Sequence, residues 1–497
     1  MPFGKMLRIL LLGAAVWGMA PTGAAAPADL TDLVEKMRER QGAQALSAAE
    51  SASLALNKED CGRLALLVED ELKSNWAAAN ARFLDPALQQ AMRAAFGQEF
   101  APEKIRLLPD AAMDATVRET LAGGYYIEER DGHFYPWPDY AYLLRAYGGK
   151  VTDEIRDYFE ICLDESKTAK ARAADLAQTC REKAALLLKI ENYLRKYPLS
   201  YRTSAAAALY KSKAIEYLAK TSYDEGAMPG GRLSREVLSS YLAVAEKHPG
   251  TKTGWYAGQA AKAWAKQNYA PDNKLMQFLA EIARQIDADV SERVKGLYVS
   301  FGGLDLFKPA GGKQYMLLEG KTGRLFKEMR QIAGADGNYI MAELKGVTEK
   351  TFFLRPVPYP RTFVVESMLK AYSWPLDDMS FPADFVCVGS VPHWRLRILT
   401  GDEAIFELSA KPVRAFAYSK PQKSEAAPGS GESWLYALRG EQGEITVKIT
   451  KQAGRDGSSG VNYQYKATVS ADGRIYEGYA FIPGERPVSL AAPRPAP

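Results

Sequence analysis

The chain reads as a multidomain α+β protein: an α-helical N-terminal domain with a β-hairpin insert, then two small antiparallel β modules. Three observations predict this. From Leu30 to about Val290 the apolar residues recur at helical spacing. After Ser291 the period shifts to alternation, with glycine-bearing turns at short intervals. Within the helical text, Gly123-Gly124 and Gly148-Gly149 bracket an aromatic stretch with strand character. A length of 497 residues, at about 150 per domain, agrees with roughly three domains.

The N-terminus reads as an address. Lys5 and Arg8 precede an apolar run from Ile9 to Trp17, followed by Pro21 and small residues. A basic start, a short apolar stretch and an A-x-A end make a secretory signal peptide over residues 1–28, with cleavage at Ala26-Pro27-Ala28 or beside Ala25. The run is shorter than the roughly 18 apolar residues that a membrane anchor needs. The first cysteine is Cys61, far from the cleavage site, so lipid attachment is not expected. The expected location is the periplasm or the medium.

Residues 29–290 form the helical domain. Leu187, Ile190, Leu194 and Tyr197 make one stripe, and Ala257, Ala260, Ala261 and Trp264 another. Leu275, Phe278, Leu279, Ile282 and Ile286 make a third, each following the spacing of a helix that buries one face.

Between the glycine pairs, Tyr125 to Trp137 reads as a hairpin, with Asp131-Gly132 supplying the positive φ angles of its turn. Eight of the 23 residues from Tyr125 to Tyr147 are aromatic, against 11% in the whole chain. Two readings are open. Tyr126, Phe134, Tyr135 and Trp137 form a stacking surface for a glycan or peptide, or they anchor the hairpin in the core.

The β text divides into modules at 294–368 and 381–482, followed by a Pro-rich tail, 483–497, of disordered composition.

Tyr193-Leu194-Arg195-Lys196-Tyr197-Pro198 and Val244-Ala245-Glu246-Lys247-His248-Pro249 each precede a small-residue helix. This echo resembles the helical hairpins of tetratricopeptide-like proteins, which implies a concave partner-binding groove. The copies lie 51 residues apart, against about 34 in that family.

The stretch from Phe385 through Cys387, Gly389, Pro392 and Trp394 to Ile398 resembles the opening strand of META-like envelope proteins. Asp456, Ser459 and Tyr463 follow that family's middle motif, and Gly478-Tyr479 its closing strand. The resemblance implies a small β-barrel-like module of exported bacterial proteins. Its second and third cysteines correspond to positions near Gly454 and at Tyr479, so the disulfide of that family is missing. Val391 and His393 replace its glutamate and phenylalanine. More weakly, Phe307-Lys308-Pro309-Ala310-Gly311-Gly312 before Tyr315-Met316-Leu317-Leu318 resembles a turn and strand of copper-resistance lipoproteins, with Ala310 at the cysteine position.

Motifs for chemistry are sparse. Sixty-four basic against sixty acidic side chains leave +4, which marks no nucleic-acid binder. His133, His248 and His393 are far apart, and no C-x-x-C or G-x-S-x-G occurs. Gly320-Lys321-Thr322 lacks the first glycine of a phosphate loop, because Tyr315 stands there. Met379, Cys387 and His393 are soft donors of the kind that copper(I) takes, on a stretch that also reads as framework. In an oxidising compartment, Cys162 and Cys180 either bond to pin a helical hairpin or stay separate buried thiols. No cofactor or metal is called for.

The function expected is non-enzymatic binding or scaffolding of an envelope protein or cell-wall glycan in envelope stress or maintenance. One alternative is an enzyme on peptidoglycan or glycans, with the aromatic hairpin as platform and Glu128, Asp131 or Asp139 as acids. Another is a lysozyme-inhibitor-like protein.

Overall fold

A computed structural model of the chain describes residues 30–31, 33–35, 42–170, 176–218, 228–301, 304–310, 316–320, 340–352, 359–373, 383–399, 403–408, 414–424, 432–440, 443–457 and 462–482. Residues 1–28, expected to be a signal peptide, and the Pro-rich stretch 483–497 lie outside these residues. Residues 25–292 and 347–362 make one compact unit; 293–346 and 363–497 belong to a second.

The first unit begins with α1 (Ala43–Ser53), α2 (Lys58–Phe83), α3 (Pro86–Phe96), a 3-10 turn (Pro102–Leu107) and α4 (Ala111–Ala122). A hairpin comes next, β1 (Tyr125–Arg130) and β2 (His133–Pro138), then α5 (Tyr140–Tyr147) and α6 (Asp153–Lys170). The last helices are α7 (Leu176–Lys196), α8 (Thr203–Leu218), α9 (Arg235–Lys247), α10 (Lys252–Lys266) and α11 (Asn273–Val290). Side-chain caps set several starts: Asn57, Asp85, Asp110, Asp139, Ser234, Thr251 and Asp272 each accept an amide of the first turn. Prolines 198 and 249 come just after the ends of α7 and α9, where the residue before proline leaves helical geometry.

Leu275, Leu279, Ile282 and Ile286 of α11 are buried, but Phe278 is 37% exposed. At 100° per residue it falls about 60° from Leu275, on the edge of the stripe. No described helix is long and apolar enough to cross a membrane.

The second unit holds two closed β-barrels. The first uses β3 (Glu292–Phe301), β4 (Leu304–Pro309), β5 (Met316–Gly320), β6 (Ile340–Lys350) and β7 (Arg361–Ser373), in the order β3-β4-β5-β7-β6. Alternate side chains, among them Tyr298, Phe307, Ile340, Leu344 and Phe363, fill its interior.

The second barrel comprises β8 (Ala383–Ser390), β9 (His393–Leu399), β10 (Glu403–Leu408), β11 (Arg414–Ala417), β12 (Gln422–Ser424), β13 (Ser433–Gly440) and β14 (Gly443–Thr450), with β17 (Tyr465–Ala471) and β18 (Arg474–Phe481). Its order is β11-β10-β9-β8-β18-β17-β14-β13-β12, and pairing of β11 with β13 closes it. A short ribbon, β15 (Gly454–Arg455) with β16 (Asn462–Tyr463), is separate.

Inside the second barrel, Trp394 is 1% exposed and packs against Phe406. Gly389 and Gly478 make room for it. A Cβ at Gly389 would stand 2.0 Å from the indole nitrogen, and one at Gly478 would stand 2.1 Å from the Val388 carbonyl. The indole N–H donates to the Glu477 carbonyl at 3.2 Å. Lys308 of the first barrel, wholly buried, pairs with Glu403 of the second at 2.6 Å.

Candidate functional site

Strand alternation sorts the aromatic hairpin into two faces. Register pairs Tyr126 with Trp137, Glu128 with Tyr135, and Arg130 with His133 on one face. Phe134 lies on the other face, wholly buried with Phe83, Met92, Phe96 and Ile127. Its amide and carbonyl are both bonded to the Gln89 side chain, at 2.9 and 2.8 Å. Phe134 is therefore removed from the proposed stacking surface: it anchors the hairpin, because a one-residue offset in a strand reverses direction.

Tyr126, Tyr135 and Trp137 do share a face, but it is already in use. The Trp137 ring stacks on Trp76 with centroids 5.5 Å apart, and the Arg130 guanidinium lies 4.9 Å from it. Trp76 is held by a 2.6 Å hydrogen bond from its indole to the Pro136 carbonyl. The Glu128 carboxylate is buried, pairs with Arg130 at 3.2 Å and accepts the Tyr126 hydroxyl at 3.2 Å. Burial and the Glu128 charge push the Tyr126 phenol well up. The other acids considered are not gathered here. Asp131 takes a φ of 51° in the turn, and Asp139 caps α5 by accepting the Tyr142 amide at 3.0 Å.

A second cluster was not singled out in the sequence. Glu69 on α2 is wholly buried. Its carboxylate accepts Lys73 at 2.6 Å, Tyr140 at 2.8 Å, Tyr158 at 3.1 Å and the Arg202 Nε at 3.0 Å. Burial alone would raise this carboxyl, but Arg202 and Lys73 outweigh it and hold it down to about 2. Arg202 also pairs with Asp70 at 2.6 Å. The only local signal is the i,i+4 pair of Glu69 and Lys73; the other partners come from α5, α6 and the turn before α8.

That turn, an elbow between α7 and α8, meets residues 347–352, which comprise the end of β6 and the two residues beyond it. The Lys350 amide donates to the Ser200 carbonyl at 3.0 Å. Its ammonium pairs with Glu59 at 3.0 Å and Glu154 at 3.5 Å, and lies 4.6 Å from the Tyr201 ring. The Glu349 carboxylate accepts the Ser204 amide in the first turn of α8, at 2.9 Å. Phe352 packs edge-on to Tyr201 at 5.8 Å, with the Arg202 guanidinium 5.7 Å from its ring.

The cysteines take one of the two readings left open. No disulfide joins Cys162 to Cys180; each is a buried thiol. The two side chains face different neighbours. Cys162 lies against the Tyr140 and Tyr158 hydroxyls, and Cys180 lies near Tyr217. Burial and the Glu69 charge push the Cys162 thiol up to about 12.

In the second barrel, Phe385, Cys387 and Trp394 line the interior. Cys387 is wholly buried, while His393 is exposed three ladder positions away, on the outer face. The structure does not bring these two donors together, and Met379 lies outside the described residues. Pro392 sits in the exposed β8–β9 turn after a cis peptide bond. Asp456 accepts the Ser390 hydroxyl at 3.3 Å, and Tyr463 stacks on Tyr479 at 5.2 Å. Ser459 lies outside the described residues. No group of metal-ligating side chains is found among the described residues. Compared with known proteins, the chain matches no family model, no curated protein and no solved structure.

Proposed function

We propose that this is an exported envelope protein that binds or scaffolds a protein or cell-wall partner without turning it over. One observation carries the reading: three deeply buried carboxylates of the helical unit are consumed by its own cations. Glu69 is neutralised by Arg202 and Lys73, Glu128 by Arg130, and Asp60 by Arg63 at 2.9 Å. A general acid needs a proton that it can exchange with substrate, and a carboxylate bound on several sides by fixed donors is poorly placed for that. The barrel interiors are packed with aromatic and aliphatic side chains. The tetratricopeptide-like echo falls on the hairpins α7–α8 and α9–α10, and the META-like resemblance falls on the second barrel. Both belong to the same reading of an export-directed binding protein.

The test uses the mature protein, residues 29–497, with purified sacculi and solubilised envelope. Retention on sacculi without release of soluble fragments, or stoichiometric capture of one envelope protein, is the expected result. Release of cell-wall fragments that is abolished by Glu128→Gln would replace this reading with the enzymatic one. Inhibition of lysozyme at stoichiometric protein would replace it with the inhibitor reading.

A further inference from the structure

The elbow between α7 and α8 receives three different chemical groups from one short segment. A carboxylate, Glu349, sits on the N-terminal turn of α8, where unpaired amides and the helix dipole favour an anion. An ammonium, Lys350, sits between Glu59 and Glu154. An aromatic ring, Phe352, lies on Tyr201 beside the Arg202 guanidinium. One backbone bond, from Lys350 to Ser200, sets the register.

The partner helix hairpin is capped differently. The N-terminus of α10 is held by Glu191 of α7, which accepts the Lys252 and Thr253 amides at 2.7 and 2.9 Å. There the cap comes from a neighbouring helix of the same packed array. At α8 the equivalent carboxylate arrives on an extended segment 145 residues away. The ion pair of that segment is also partly open to water, although Glu349 is buried: the Lys350 side chain is 37% exposed and Glu59 42%. Ion pairs of this kind are weak and salt-screened.

We infer that this elbow is a peptide-binding site and that residues 347–352 are its built-in competitor. The partner it fits is an extended peptide presenting a carboxylate, then an ammonium, then an aromatic side chain two residues further on. When such a peptide binds, it displaces the internal segment and takes over the contacts to Glu59, Glu154, Tyr201, Arg202 and Ser204. The Glu69 network holds Arg202 in place throughout, which keeps the elbow formed whether or not it is occupied. This inference rests on the binding-module reading and names one site for it.

The probe is a fluorescein-labelled peptide of residues 346–352, titrated against the full mature chain and read by fluorescence anisotropy. The wild-type chain should bind it weakly, because its own segment occupies the site. The Glu349→Ala/Lys350→Ala/Phe352→Ala chain should bind about tenfold more tightly, as expected when an internal competitor is removed. A peptide carrying Lys350→Glu should lose about that factor again. Equal affinity for wild type and variant, or no binding to a variant with unchanged circular dichroism, overturns the inference. Should the variant not fold, amide exchange on the wild type decides. Exchange at 347–352 should quicken about tenfold from low to high salt while β6 residues 340–344 stay protected; unchanged exchange overturns the inference. Neither failure bears on retention by sacculi or capture of an envelope protein, so the binding-module reading is judged separately.

Discussion

Tyr479 lies over Gly454, and its hydroxyl donates to the neighbouring Arg455 carbonyl at 2.7 Å. A Cβ at Gly454 would stand 2.5 Å from the ring, so glycine is what lets the tyrosine settle there. Tyr463 then stacks on the same ring, at 5.2 Å and 12°. The META-like resemblance implies a disulfide near position 454 and at position 479. Here an aromatic clamp holds the β15–β16 ribbon to β18.

Tyr479→Phe keeps the ring and loses one hydrogen bond, and should cost about 1 kcal/mol in denaturant titration. Gly454→Leu forces the ring away and should cost about 1–3 kcal/mol, with the loss of order concentrated in the ribbon. Equal stability of both variants and wild type would show that the clamp holds nothing.

The Trp394 seat makes a sharper demand. Gly389→Ala puts a methyl 2.0 Å from the indole nitrogen, and a packed barrel has little room to yield. The expected cost is about 3 kcal/mol, with a change in near-ultraviolet circular dichroism as the indole leaves its site. Ser390→Ala, one position on and exposed, is the control and should fall within about 0.5 kcal/mol.

Glu69 sets an acid limit on the helical unit. Its folded pKa, about 2, lies below the ordinary carboxylate value, so it contributes stability above roughly pH 4.3 and loses it as pH falls toward 2. Asp70 moves the other way, because its burial outweighs the pull of Arg202. Its effect on stability is opposite in sign. Glu69→Ala strands Arg202 and Lys73 and should cost about 3–5 kcal/mol at neutral pH. Its stability should also fall less steeply between pH 4 and 2 than that of wild type, read by urea titration at each pH.

Thiol counting separates the two fates of the cysteines. Cys61, Cys162, Cys180 and Cys387 are all buried thiols, so the native protein should react with none of its four under a thiol-specific chromophore. Burial raises the Cys61, Cys162 and Cys387 thiols, which further lowers the reactive thiolate fraction. Unfolding in guanidinium should expose four equivalents. Two equivalents would mean that a disulfide had formed after all.

Much of the architecture was legible in one dimension. The helical stripes, the Asp131-Gly132 turn and the change to alternation after Ser291 are all local signals, carried by neighbours one to four residues apart. The site was less legible. Tyr126, Tyr135 and Trp137 could be named from aromatic density, but Phe134 belonged with the core, and density takes no account of strand phase. Cys162 and Cys180 sat at a plausible spacing on successive helices. Spacing along a chain does not say which way two side chains turn.

What the sequence determined by itself was therefore the kind of each segment: which stretch is helical, where alternation takes over, which faces are apolar. Only the tertiary structure decided which charges meet. Glu69 finds Arg202 across 133 residues, and Lys350 finds Glu59 across 291. The reason is physical. Helix and strand periods arise from backbone geometry repeated at every residue. A buried ion pair depends on where two distant elements come to rest, and one Glu or Lys looks like any other until they do.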